Sequence, residues 1–200
     1  MASQPSPSIN DTSPGPTRLQ GRTIVIGLGN LLLGDDGVGW RVADAVEDVL
    51  STARRSAAES DRPFEGVEIE RLGVGGLRLM ECLTGYDTAI LVDAAEFPNR
   101  PVGEVRSCCL DDLEDFAAGH LDSAHDASLR TALALGRRLG ATLPANIQTV
   151  TVQAHRTDVF SERLSPEVEA AIPAATQAVL DLLAAGRDRT KPMAEGATID

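Results

Sequence analysis

Lysine is almost absent from this 200-residue chain. Of its 18 basic residues, only Lys191, near the C-terminal end, is a lysine. Functions that need a lysine in the folded core are therefore excluded. These functions are phosphate binding by a glycine-rich loop, Schiff-base formation and Ser-Lys hydrolysis.

Cysteine is scarce as well. The three cysteines are Cys82, Cys108 and Cys109; the number is odd, two are adjacent, and none form a C-x-x-C motif. This usage indicates reduced thiols in a cytoplasmic protein rather than a disulfide framework. Residues 1–20 lack an apolar run and contain four prolines, so no signal peptide is expected. No segment is expected to span a bilayer.

Positive charge is the third deficit. The chain carries 30 acidic and 18 basic side chains, for a net charge of −12. Binding to nucleic acid requires basic side chains that neutralise phosphates, and binding to anionic membranes requires a similar basic surface. We therefore expect neither nucleic acid nor a membrane among the partners.

What the chain does contain is 42% apolar residues, arranged as short apolar runs that alternate with helical patterns. This alternation predicts one three-layer α/β domain over residues 21–186, with a mostly parallel twisted sheet of about five strands and helices on both faces. Residues 1–20 and 187–200 are polar and are predicted to be a disordered and a flexible tail. The predicted strands are 23–26, 67–70, 89–92, 102–109 at an edge and 149–152. The predicted helices begin near 38, 76, 124 and 165, the last with a kink at Pro173.

The glycine-rich loop after the first predicted strand does not fit a nucleotide. Its Gly27-Leu28-Gly29 opening requires a third glycine at position 32 for dinucleotide binding, and Leu32 stands there. In place of the Lys and Ser/Thr of a phosphate loop it has Asp35 and Asp36. Two carboxylates would repel a polyphosphate, so the loop favours a cation.

Three residues are predicted to meet at the carboxyl ends of the strands, where α/β sheets bind ligands. Asp36 lies in the first loop, Asp93 ends a buried strand, and His125 lies in the first turn of a predicted helix. Each also has a structural explanation: helix capping for Asp36 and, with better reason, for Asp35; a buried hydrogen bond for Asp93; an exposed surface position for His125. His120 and His155 compete with His125 and rank below it.

Two carboxylates and one imidazole suit a divalent metal such as Zn, Ni, Fe or Mn. Three protein ligands leave coordination positions open, as catalytic sites do. Other nucleophiles are weak: the sequence has no G-x-S-x-G elbow, and Cys108 and Cys109 point to opposite faces of their predicted strand.

The same residues resemble the hydrogenase maturation endopeptidases. The resemblance covers roughly residues 22–185 and rests on Gly27–Asn30, Asp35–Gly39, Leu91–Ala94, Ser123–His125 and Phe160–Pro166. It implies an endopeptidase that removes the C-terminal extension of a [NiFe]-hydrogenase large-subunit precursor after nickel insertion. It also implies that Asp36, Asp93 and His125 bind the metal and form the catalytic site. The nickel would arrive in the precursor, and the enzyme would be a cytoplasmic monomer.

Three rival functions predict different behaviour. A phospho-receiver has a similar acidic pair but needs a lysine near the last strand, which is missing here. A nucleotide-binding regulatory module is disfavoured by Leu32 and the two aspartates. A nonenzymatic nickel-binding accessory protein would use the same three ligands and cleave nothing.

Overall fold

The computed structural model describes residues 21–57, 64–73, 75–112, 129–155 and 157–190. Both predicted tails lie outside this part, except residues 187–190, which continue the last helix. His120, Ser123, His125 and the first residues of the helix predicted from 124 also lie outside it. The predicted boundaries of the domain therefore stay predictions at these points.

A five-stranded sheet forms the centre of the protein. Its strands are β1 (Thr23–Leu28), β2 (Val67–Leu72), β3 (Thr88–Ala95), β4 (Val105–Cys109) and β5 (Asn146–Gln153). The order across the sheet is β2-β1-β3-β5-β4. All neighbouring pairs are parallel except β4 with β5, which is antiparallel. The predicted sheet is confirmed in its strand number and its mostly parallel direction.

Helices cover both faces of this sheet. They are α1 (Val38–Ser56), α2 (Gly76–Leu83), α3 (Leu129–Arg138) and α4 (Pro166–Thr190). One core lies between the sheet and the pair α1 and α4, and includes Val25, Val42, Ile90, Val150 and Val179. The other lies between the sheet and the pair α2 and α3, and includes Ile26, Leu79, Leu91, Leu133 and Ile147. The predicted three-layer arrangement is confirmed.

The start of the edge strand differs from the prediction for a local reason, whereas the start of the last helix agrees with it. The edge strand β4 begins at Val105 rather than at 102, because a turn precedes it: the Glu104 N–H donates to the Pro101 carbonyl at 3.1 Å, and Gly103 has a φ of 84°. The last helix begins at Pro166 as predicted and continues past Pro173 to Thr190. The proline removes one backbone donor without ending the helix.

Helix α4 also bears on the membrane prediction. Contrary to expectation, its residues Pro166–Gly186 are long and apolar enough to cross a bilayer, with a mean hydropathy of 1.3. One such helix is weak evidence for a membrane span. Its buried residues Val168, Ala175 and Val179 pack in the core shared with α1 and the sheet. This packing accounts for the buried third of the segment.

Candidate active site

The loop after β1 turns sharply, and this turn carries Asp36 back over the strand end. Gly29 has a φ of 116°, and a Cβ atom there would overlap the carbonyl oxygen of Asp36. Only glycine therefore fits at this position. The backbone N–H of Asn30 donates to Oδ2 of Asp36 at 2.6 Å. The hydrogen bond fixes the carboxylate of Asp36 beside the carboxyl end of β1.

The neighbouring Asp35 has a different role. It is fully buried, and its two carboxylate oxygens accept hydrogen bonds from the backbone N–H of Ser165 at 2.6 Å and from the Ser165 hydroxyl at 3.0 Å. Ser165 directly precedes α4, so Asp35 ties the loop after β1 to the start of that helix. The capping interpretation of Asp35 is wrong: the start of α1 has no side-chain cap hydrogen bond, and Asp35 instead binds the residue that precedes α4.

The segment before α4 braces the same loop through its backbone. Leu33 and Ser161 form a parallel bridge, in which Gly34 N–H donates to the Ser161 carbonyl at 2.7 Å and Ser161 N–H donates to the Leu32 carbonyl at 2.9 Å. This contact was not predicted from the sequence. The two segments are more than a hundred residues apart, and only the family resemblance of Phe160–Pro166 pointed to the second of them.

Asp93 lies near the end of β3, as a half-buried residue between the buried residues Val92 and Ala94. Burial of the carboxyl group and, secondarily, the charge of Asp36 raise the pKa of Asp93 to about 7. A hydrogen bond from the Ala94 backbone opposes this rise. The two carboxylates thus repel each other, and the pair is favoured by a proton or a cation between them.

Close packing of α1 on the sheet brings these two acids together. A Cβ atom at Gly39 would overlap the carbonyl oxygen of Leu28 and lie 2.5 Å from that of Val92. The first turn of α1 therefore touches the backbone of both β1 and β3. Because Asp36 lies just before this turn and Asp93 directly after Val92, we expect the contact to set the distance between the two carboxylates.

The acidic pair also occupies the switch point of the topology. From β1 the chain passes to β2 on one side, and later to β3 on the other side of β1. Loops that diverge in opposite directions leave a crevice between β1 and β3, and α/β proteins bind ligands there. Asp36 and Asp93 belong to the two strands that border this crevice.

The third predicted ligand is not placed by the structure. His125 and its competitor His120 lie outside the described residues, and among the described ones no group of three His, Cys, Asp or Glu side chains could hold a metal. His155 is described and exposed, two residues after β5. The structure thus brings together two of the three predicted residues, and the assignment of His125 stays a prediction.

The raised pKa of Asp93 predicts a pH dependence of stability. In the unfolded chain this carboxyl group has its ordinary pKa of 3.8, against about 7 in the fold, so between these values the folded state holds the additional proton. This contribution to stability is complete below pH 3.8 and is lost as the pH rises to about 7. Asp93→Asn has no such dependence. We expect the difference in unfolding free energy between wild type and variant to change by about 1–3 kcal/mol between pH 5 and pH 8, in favour of the variant at pH 8.

Urea denaturation in the presence of a chelator measures this difference. Asp36→Asn serves as a comparison, because it removes the charge that repels Asp93 and so weakens the pH dependence without abolishing it. Parallel stability curves for wild type and Asp93→Asn would contradict the prediction.

Comparison with known proteins gives a consistent result. The profile of a family described as hydrogenase maturation protease, HycI, matches residues 41–182. The hydrogenase expression/formation protein HupD of Thiocapsa roseopersicina is 27% identical over 161 residues, which are 80% of this chain and 67% of that protein.

Solved structures give the same picture. The hydrogenase maturating endopeptidase HybD from E. coli superposes with a TM-score of 0.63 at 27% identity, over 84% of this chain and 94% of that one. A hydrogenase 2 maturation peptidase from Thaumarchaeota archaeon SCGC_AB-539-E09 is 30% identical, with a TM-score of 0.52, over 81% and 97%.

Proposed function

Because this chain belongs to the hydrogenase maturation protease family and is an endopeptidase, we propose that it removes the C-terminal extension of a [NiFe]-hydrogenase large-subunit precursor after nickel insertion. The observation that carries this proposal is the pair of mutually repelling carboxylates, Asp36 and Asp93, in the crevice between β1 and β3. Such a pair is stabilised when a divalent cation replaces the proton on Asp93.

The donor set fits nickel that is presented by the substrate. Asp36 and Asp93 supply two carboxylates, and His125 is the proposed third ligand from the segment between β4 and α3. Three ligands from the enzyme leave coordination positions for the precursor's own ligands. A divalent metal so held can polarise a peptide carbonyl or lower the pKa of water.

The enzyme's own groups would act mainly by positioning the two carboxylates and the precursor. The Asn30 N–H holds one oxygen of Asp36, and the Ala94 N–H stabilises the ionised form of Asp93. The Asp35–Ser165 and Leu33–Ser161 contacts keep the loop rigid. The metal-bearing part of the precursor would therefore dock against a fixed pair of charges, with its scissile peptide beside the crevice.

We further propose that the enzyme acts in the cytoplasm as a monomer. The three cysteines, all free in the described residues, support a reducing compartment. A net charge of −12 favours partners other than nucleic acid or anionic lipid.

The test is cleavage of a purified large-subunit precursor in nickel-loaded and nickel-free forms, read by intact mass. We expect the loaded precursor to lose a C-terminal peptide and the nickel-free precursor to stay uncut. Equal cutting of both forms would refute the proposed dependence on nickel. If neither form is cut although nickel binds the free protein, the nonenzymatic accessory function would replace the proposal for this substrate.

A further inference from the structure

An arginine lies on the same face of the sheet as Asp93, one strand beyond its neighbour. Asp93 of β3 is paired in register with Thr151 of β5, and Thr151 is paired with Arg106 of β4. Residues directly opposite each other in adjacent strands share a face. Thr151 between them is only 5% exposed, whereas Arg106 is exposed. These three paired residues therefore place a solvent-exposed cation, that of Arg106, two strands away from Asp93.

The guanidinium of Arg106 is held in a defined place. It lies over the ring of Phe97, 5.3 Å from the ring centroid. Phe97 follows β3, and the side chain of Gln153 fixes its backbone in both directions: it accepts from the Phe97 N–H at 3.0 Å and donates to the Phe97 carbonyl at 3.2 Å. Gln153 itself is 7% exposed, so this support is part of the packed sheet.

A guanidinium stacked on an aromatic ring keeps its N–H groups free at the edge of its plane. That edge matches the two oxygens of a carboxylate. Some arginines of the described part have such a partner within the chain, among them Arg22 with Glu68, Arg71 with Asp44 and Glu47, and Arg100 with Glu104. For Arg106 the described residues supply the aromatic support but no carboxylate.

We propose that Arg106 binds a carboxylate of the precursor, on a residue about three positions from the cleaved peptide bond. The inference rests on the proposed function, since it takes the cleaved bond to lie at Asp36 and Asp93. Arg106 is two strand spacings from Asp93, about 10 Å, and an extended peptide spans this distance in about three residues. Arg106 thus determines which precursor is accepted, and it takes no part in bond cleavage.

The experiment compares Arg106→Gln with the matched control Arg100→Gln on nickel-loaded precursor. We expect Arg106→Gln to raise KM about 10- to 30-fold while kcat stays within about threefold, because a hydrogen-bonded ion pair of moderate exposure is lost. Arg100→Gln, which removes a cation already paired with Glu104, should leave KM within about twofold. Arg106→Lys keeps the charge without the planar fork and should fall between them. The melting temperatures of all four proteins should agree closely.

Precursor variants identify the partner group. Each acidic residue within about four positions of the cleaved bond is neutralised in turn. One of these changes should raise KM for the wild-type enzyme and have no additional effect on Arg106→Gln. A KM for Arg106→Gln equal to that of Arg100→Gln would overturn the proposal. So would a raised KM that couples to no precursor carboxylate, or a loss confined to kcat. Failure of the wild-type enzyme to cut the precursor would instead refute the proposed function itself.

Discussion

Replacing Asp36 with asparagine is expected to lower kcat/KM for the nickel-loaded precursor by at least about a thousandfold, which corresponds to about 4 kcal/mol. The substitution keeps an oxygen that can accept the hydrogen bond from the Asn30 N–H, so the loop stays in place. It removes one of the two negative charges that a divalent cation would neutralise. Asp93 and the proposed ligand His125 would then hold the metal-bearing part of the precursor without a second carboxylate, because the amide is a poor ligand for nickel.

Intact mass of the precursor over time gives this rate, and the protein's single tryptophan gives binding. Trp40 lies in the first turn of α1, four residues after Asp36, so its fluorescence should report nickel close to the pair. We expect nickel to change the emission of wild type and to have little effect on Asp36→Asn. Cleavage by Asp36→Asn within about tenfold of wild type would contradict the assignment of Asp36.

Asp35→Asn is the matched control, because it neutralises the adjacent acid. Asp35 is buried against Ser165 rather than facing the crevice. Asparagine keeps one of the two acceptor positions, so the variant should lose about 1–2 kcal/mol of stability. At a temperature where it remains folded, it should still respond to nickel and cut the precursor within about tenfold of wild type. A loss as large as that of Asp36→Asn would place Asp35 in the site as well.

The sequence predicted the sheet well because its central strands carry the strongest signal. Residues 24–26 and 89–92 are apolar on both faces, which indicates strands buried between two layers of helices. The end of β1 was placed two residues short, since Gly27 was interpreted as loop. The structure explains this glycine within the strand: a Cβ atom there would overlap the backbone of Gly39 in α1. A strand residue without a side chain leaves no apolar pattern to detect.

The candidate site, too, could be predicted from the sequence only in part. Asp36 and Asp93 could be placed together from sequence, because the carboxyl ends of parallel strands lie at one edge of a sheet. The roles of the adjacent aspartates could not be fully separated, since the partner of Asp35 is 130 residues away and no local pattern encodes it. Arg106 gave no signal either. Its position relative to Asp93 depends on the register of two strand pairs, β3 with β5 and β5 with β4. In sequence, an isolated arginine in an edge strand resembles any surface residue.

Gly39→Ala is expected to have the second large effect. It should lower the stability of the fold, although helix propensity alone would predict an increase. Gly39 is the second residue of α1, where alanine by itself would favour a helix by roughly 0.5–1 kcal/mol. The added Cβ would overlap the carbonyl oxygen of Leu28 and lie 2.5 Å from that of Val92. Both atoms belong to buried strands that cannot move without distorting the sheet. We therefore expect a loss of about 3–4 kcal/mol and a melting temperature lower by about 10 °C.

Gly186→Ala provides the control, because it makes the same substitution in α4, where an added Cβ would meet nothing within 4 Å. This variant should match or slightly exceed wild type in melting temperature. Calorimetry separates the two, and cleavage assays add a second distinction. Gly39→Ala has to displace the start of α1 from β3, which moves Asp36 away from Asp93, so its activity should fall even at temperatures where it is folded. A Gly39→Ala enzyme as stable and active as Gly186→Ala would show that the contact between α1 and β3 does not set the spacing of the two carboxylates.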